Sequence, residues 1–186
     1  HIVFYRIPWD NQEMPHINIE IKARCSNQDI IREILKSENA DFKGVDHQID
    51  TYFKSPNGRL KLRQGNIENF LIFYNREDTE GPKQSDVTLL TVDSVNSPRD
   101  ILEQALGVLV EVDKEREIYF IRNIKFHLDN VKGLGTFVEI EAIDKDGSIG
   151  KETLLEQCSE YVGKFGIKNE DLISVSYSDL LLQDGN

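Results

Sequence analysis

Residues His16–Arg24 read HINIEIKAR, and their alternation decides the fold. Successive strand residues point to opposite sides of a sheet, so Ile17, Ile19, Ile21 and Ala23 share one face while Asn18, Glu20, Lys22 and Arg24 share the other. One face suits a core. The other carries an acid followed by two bases. It either meets water, as one face of an antiparallel sheet commonly does, or forms half of a site for a metal-bound polyanion.

Later segments repeat the pattern. After the turn SPNG at 55–58, RLKLR at 59–63 sets Arg59, Lys61 and Arg63 opposite Leu60 and Leu62. NIKFHLD at 123–129 sets Lys125, His127 and Asp129 against Ile124, Phe126 and Leu128, and TFVEIEAI at 136–143 sets Phe137, Glu139, Glu141 and Ile143 against Val138, Ile140 and Ala142. Between 108 and 122, Lys114 and Arg116 interrupt a face otherwise made of Val108, Val110, Val112, Ile118 and Phe120. Bases left unpaired in a core cost several kcal/mol each, so either that strand is exposed there or something negative meets them.

Further strands are expected over Asp41–Phe53, Phe70–Arg76 and 83–92. Helical spacing predicts one helix from a cap at Ser26 or Asn27 to near Asn39, on Ile30, Ile31, Ile34 and Leu35. A second runs from Ser97 and Pro98 to Gly107, with Ile101, Leu102, Ala105 and Leu106 as its apolar side. A third spans Gly150–Phe165 with Leu154, Leu155, Cys158, Tyr161 and Val162 as its buried stripe, and a short fourth spans Tyr177–Leu182. Strands outnumber helices, which gives an α+β chain with a mostly antiparallel sheet.

The 186 residues, 39% of them hydrophobic, suffice for one domain with a sizeable core. Met14 could open that domain, leaving 1–13 as an extension or as a strand through Ile2–Arg6 and 14–186 as the domain proper. The excess of 33 acids over 22 bases gives a formal charge of −11 and argues against nucleic acid and anionic membrane as partners. Cys25 and Cys158 have no metal or redox spacing, no apolar run is long enough for a membrane span, and the N-terminal residues lack a signal-peptide pattern. A soluble, cytoplasmic protein is the expectation, as a monomer or a homodimer.

If the apolar faces pack outward against helices, the charged faces look at one another across a closed or nearly closed sheet. That interior would gather nine bases, Lys22, Arg24, Arg59, Lys61, Arg63, Arg76, Lys114, Arg116 and Lys125, and four acids, Glu20, Asp129, Glu139 and Glu141. Such a surplus calls for a multivalent anion, and a chain of phosphates answers it: guanidinium groups grip phosphate oxygens in pairs, and lysines act as point charges. Glu20, Glu139 and Glu141 form the natural group for Mg²⁺ or Mn²⁺, which takes one or two carboxylates together with phosphate oxygens and water. The competing reading is an open sheet with helices on its apolar layer and its charged face in water.

The sequence resembles the CYTH, or triphosphate-tunnel metalloenzyme, superfamily, and within it the class IV adenylyl cyclase branch. The match runs from about Ile17 to Leu182 through IEIKAR at 19–24, IDTYF at 49–53, RLKLR at 59–63, DKEREIYF at 113–120, HLDNVKGLGTFVEIE at 127–141 and SYSDLL at 176–181. The resemblance implies an eight-stranded antiparallel tunnel with helices outside. It implies triphosphate binding by Lys22, Arg63, Lys114 and Arg116, divalent metal at Glu20 and Glu139, and Asp129 near the reacting end. Lys22, Asp129 and Arg116 are therefore the catalytic candidates. Arg24, Lys61, Arg76 and Lys125 join the substrate-binding set, and Glu141 the metal set. Two departures stand out: Asn18 occupies the first position of the family's Glu-x-Glu-x-Lys signature, and near the end of the strand Phe70–Arg76 either Arg76 matches the base that the family carries or Asn75 occupies its place. His127 reads as a proton shuttle or a satisfied strand histidine, Tyr177 as packing at the tunnel mouth, and Asp50 and Tyr52 as groups that orient neighbours.

Three activities suit these residues. ATP would be cyclised to cyclic AMP and pyrophosphate, or a triphosphate (inorganic, nucleoside or thiamine) would be hydrolysed. The third is a binder that turns nothing over, for which Asn18 is the motive.

Overall fold

Most of the sheet is built from neighbours in sequence, because short polar and glycine-bearing turns fold each alternating segment back on the last. A computed structural model describes residues 2–6, 17–75, 84–93 and 97–184. Nine strands are present among them: β1 (Ile2–Arg6), β2 (Ile17–Arg24), β3 (Asp41–Phe53), β4 (Arg59–Gln64), β5 (Phe70–Asn75), β6 (Gln84–Thr91), β7 (Val108–Ile121), β8 (Ile124–Val131) and β9 (Gly135–Asp144). The helices are α1 (Gln28–Ser37), α2 (Arg99–Leu106), α3 (Lys151–Lys164) and α4 (Tyr177–Asp184), with a 3-10 turn at Asn169–Asp171.

Eight strands make one antiparallel run in the order β2-β9-β8-β7-β3-β4-β5-β6, as an α+β chain of this pattern should. The run is curled. Its two outer strands are both hydrogen-bonded to β1, which lies antiparallel to β2 and parallel to β6. Ile2–Arg6, one of whose two readings was a strand, is thus seated between two others.

Register carries the alternation into space. Lys22 stands opposite Glu139 and Glu20 opposite Glu141 on β2 and β9; Arg116 faces Asp129 across β7 and β8, and Asp50 faces Arg63 across β3 and β4. The opposite face of β2, β8 and β9 packs on the helices. Ile19, Ala23, Phe126, Leu128, Val138, Ile140 and Ala142 meet Ile31 and Leu35 of α1 and Leu154, Cys158 and Tyr161 of α3 in one core. Removing such surface from water stabilises by roughly 25 cal/mol per Å². A second core lies under α4, where Tyr52, Val112, Val131, Leu134, Phe137 and Tyr177 fill one end of the space enclosed by the curl.

That second core explains the mixed face of β7. Val110 and Val112 line the apolar end beneath α4, Lys114 and Arg116 the middle, and buried Ile118 the stretch beyond. Three packing expectations fail, the first at Ile30 of α1, which is 55% exposed. Leu155 of α3 is 39% exposed, because the helix turns Leu154, Cys158 and Tyr161 onto the sheet, with Val162 packed beside them. Ile101 is 72% exposed and α2 buries none of its residues, because this helix lies on the rim and covers no core.

The β4–β5 connection is drawn inward by Asp46, whose buried carboxylate accepts the backbone N–H of Ile67 at 2.8 Å and of Glu68 at 3.0 Å. Gly65 leaves room for it. A Cβ there would lie 2.6 and 2.8 Å from the Asp46 oxygens and 2.8 Å from the Glu68 carbonyl, closer than real Cβ contacts. Gly65→Ala is expected to destabilise the fold by about 1–3 kcal/mol, the usual range for overpacking, as read from the urea midpoint; an unchanged midpoint contradicts this geometry.

Candidate functional site

The charged faces of β2, β3, β4, β7, β8 and β9 meet inside the curl as two linked groups of ion pairs. In the first, Asp50 of β3 is shared by three bases: Arg63 contacts it at 2.8 and 2.9 Å, Lys61 at 2.9 Å and Lys114 at 3.1 Å. Burial works to raise the Asp50 carboxyl, but Arg63, Lys114 and Lys61 outweigh it and hold the group well below the usual carboxylate range. Lys114 shows the other side of this crowding. Burial, together with Arg116, Arg63 and Lys61, pushes its ammonium down to about 7 despite Asp50.

In the second group Arg116 donates from Nε to Asp129 Oδ1 at 2.7 Å and from Nη2 to Asp129 Oδ2 at 2.5 Å and Glu139 Oε2 at 2.8 Å. Lys22 Nζ stands 3.1 Å from Glu139 and 3.9 Å from Glu20. Burial opposes ionisation of Asp129 and Glu139, yet the Arg116 guanidinium holds both carboxyls low. The Tyr177 hydroxyl of α4 donates to Asp129 at 2.7 Å, and its ring lies beneath Lys22 and Lys114, 4.2 and 5.7 Å from their nitrogens.

His127 is a neutral member of this group. Burial, with Arg116 and Lys125 nearby, pushes it down to about 3, so Nδ1–H donates to Glu139 at 3.0 Å as a hydrogen bond between a neutral ring and a carboxylate. Its Nε2 and the Oε1 of Gln48 are buried atoms without a hydrogen-bond partner among the described residues.

Lys22, Lys61, Arg63, Lys114, Arg116 and Lys125 are therefore brought together, with Glu20, Asp129, Glu139 and Glu141 beside them. Arg24 departs from the set. Its exposed side chain passes over Phe137, 5.1 Å from the ring centroid, to donate to the Leu134 carbonyl at 3.0 Å, because the second core fills the space inside that end of β2. Arg59 turns to the start of α4, where it binds Asp179 of the helix and Ser176 just before it. Arg76 and the side chains of Asn18 and Asn75 lie outside the described residues.

Among the described residues the expected surplus of bases is not assembled. Asp50 and Glu68 complete the pairing of Lys61, Arg63, Lys114 and Lys125, so these six bases face six carboxylates, counting Glu20, Asp129, Glu139 and Glu141. Glu68 escaped the sequence reading because it stands in a turn, where strand alternation says nothing. Asp46 escaped it because its partners are the backbone amides of that turn.

The metal candidates sit on adjacent strands, but no three of the His, Cys, Asp and Glu residues among those described are grouped as an all-protein cage. The oxygen donors suit a cation that takes one or two carboxylates and completes its shell with phosphate and water. Glu141 carries the electrostatic mark of such a place: burial, with Glu20 and Glu139 close by, pushes its carboxyl up to about 7 against the pull of Lys125.

The sequence profile of the CYTH domain matches residues 16–177. The chain belongs to the CYTH family. Among curated relatives, a protein of Methanocaldococcus jannaschii provisionally named an adenylate cyclase is 27% identical over 173 residues, 88% of this chain and 98% of the relative. Solved CYTH-like folds include the PH1012 protein of Pyrococcus horikoshii, with TM-score 0.75 and 24% identity over 88% of this chain and 98% of that one. A Vibrio parahaemolyticus protein provisionally named an adenylate cyclase has TM-score 0.67 and 21% identity over 89% and 97%. A Hippeastrum protein described as having a dominant triphosphatase activity has TM-score 0.60 and 16% identity over 91% and 96%. CYTH membership implies a divalent metal, and no helix among the described residues is long and apolar enough to cross a membrane.

Proposed function

We propose that the curled sheet is a tunnel that binds the triphosphate of a small organic molecule, ATP or a similar compound, and that the chain converts ATP to cyclic AMP and pyrophosphate. The observation that carries this reading is the convergence of Lys22, Arg63, Lys114 and Arg116, all nearly buried, on one interior with Glu20 and Glu139.

In this reading Lys61, Arg63, Lys114 and Lys125 hold phosphate oxygens at one side of the interior, and Lys22 and Arg116 at the other. Glu20, Glu139 and Glu141 hold Mg²⁺ or Mn²⁺. The cation, when bound, supplies positive charge against the phosphate oxygens and acidifies the attacking hydroxyl. The 3′-hydroxyl gives up its proton to solvent as its oxygen bonds to the α-phosphorus, the bond to the bridging oxygen breaks, and the bases stabilise the pyrophosphate that leaves. Asp129 serves as a positioning residue, since Arg116 and Tyr177 occupy both of its oxygens. The apolar packing beneath α4 keeps water from that end. All of these groups come from one chain, so a monomer or a homodimer serves equally, and a cytoplasmic setting rich in nucleotides goes with this substrate.

Triphosphate hydrolysis is the second reading, favoured by the dominant triphosphatase activity described for the Hippeastrum relative. It needs the same interior with water as nucleophile. Incubation with ATP, tripolyphosphate and thiamine triphosphate plus Mg²⁺ or Mn²⁺ tests both. Cyclic AMP with pyrophosphate supports the cyclase, orthophosphate the hydrolase, and no product with any metal removes both.

A further inference from the structure

Among the described acids that face these bases, Glu68 alone is delivered by a turn, and it reaches across the interior. Its Oε2 accepts from Arg63 Nη1 of β4 at 2.9 Å and from Gln48 Nε2 of β3 at 3.2 Å, while Oε1 accepts from Lys125 Nζ of β8 at 3.0 Å. β4 and β8 are not neighbours; β3 and β7 stand between them. One carboxylate thus spans a width of four strands and joins two bases that the sheet alone keeps apart.

The turn is built to hold it there. Asp46 takes the amides of Ile67 and Glu68, Gln48 Nε2 lies 2.7 Å from Asp46 and so bonds both acids, and Asn69 closes the turn on Gly65 with reciprocal hydrogen bonds at 2.9 and 3.2 Å. Asp50, by contrast, belongs to the wall and holds Arg63 from its other edge. Arg63 therefore keeps a carboxylate partner when Glu68 moves away. Two oxygens of one anion on a guanidinium and an ammonium is also the way a phosphate group binds.

We propose that Glu68 is a resident counter-anion which occupies a phosphate position on Arg63 and Lys125, and that a polyphosphate binds by exchanging with it. This rests on the reading of the interior as a triphosphate site. The turn then acts in selection. Binding at these two bases requires a ligand charged enough to displace a paired carboxylate, so the pair is masked from weak anions without losing its charge.

The test is calorimetric titration of the full chain with tripolyphosphate in the presence of EDTA, for the unaltered protein and for Glu68→Gln. Exchange predicts binding about tenfold tighter in Glu68→Gln, together with a lower melting temperature without ligand and a larger rise on adding it. A part confined to structure would lower the melting temperature and leave affinity equal or weaker, which overturns the proposal. Glu68→Asp keeps the charge but is one methylene too short to span both bases. If the glutamine variant does not fold, tighter binding by the aspartate variant supports exchange, and equal or weaker binding overturns it. Absence of tripolyphosphate binding by the unaltered protein and the variants alike, both in EDTA and in a repeat titration with Mg²⁺ in its place, removes the triphosphate reading itself, and the exchange with it.

Discussion

Replacing Arg116 with methionine is expected to lower the folding stability by about 3–5 kcal/mol at neutral pH, the usual cost of removing one partner from a buried ion group. The guanidinium is the common cation of Asp129 and Glu139, and all three groups are nearly excluded from water. Without it Asp129 keeps the Tyr177 hydroxyl, Glu139 keeps Lys22 and His127, and neither gains a new base. The pH dependence gives the sign. In the folded protein both carboxyls sit below their ordinary values, so Arg116 contributes stability that is present above the unfolded carboxylate range and is lost as pH falls through the folded values. The deficit of the variant should therefore shrink on acidification below about pH 4. Urea unfolding at pH 7 and pH 3.5 measures it. A deficit that is equal at both, or absent at pH 7, contradicts the pairing.

The second large effect is expected from Lys114. Its folded pKa is about 7 against 10.5 for an ordinary lysine, so between these values the unfolded chain binds more protons and stability rises with pH. Glu141 acts with the opposite slope in the adjoining window. Folded it holds its proton to about 7 against 4.5 when exposed, so stability falls as pH rises from 4.5 to 7. These two groups together give a minimum near neutrality in metal-free protein. Lys114→Met should remove the rise above pH 7, on the order of a few kcal/mol, and leave the acid limb in place. Unfolding midpoints at pH 6, 7, 8 and 9 check this. Parallel curves for variant and unaltered protein above pH 7 count against a depressed Lys114.

What the sequence disclosed followed from the period of two. Alternation in INIEIKAR, RLKLR, IKFHLD and FVEIEA assigned β2, β4, β8 and β9 and told which face of each was charged. It also found Lys114 and Arg116, since bases within an apolar parity require an anion. It did not supply the whole of that anion: Asp50, read as a group that orients neighbours, meets Lys114 diagonally because β3 pairs with β7 with Gln48 opposite Lys114, a register that alternation does not encode. Glu68 and Asp46 depend on a turn folded inward, where spacing carries no orientation. Helix periodicity found α1 and α3 but overstated burial at Leu155 and Ile101, because an apolar stripe is wider than the contact a curved sheet offers.

The bond from Tyr177 to Asp129 ties the last helix described to the middle of the molecule, 48 residues earlier in the chain. Strands β2 to β9 can pair before that helix is synthesised, but until it docks Asp129 lacks its hydroxyl donor, and Lys22 and Lys114 lack the aromatic floor on which they rest. A nascent chain on the ribosome consequently acquires its sheet early and its finished electrostatic interior late. The Tyr177 contacts with Asp129, Lys22 and Lys114, unlike the strand pairing, wait for residues 176–184 to emerge.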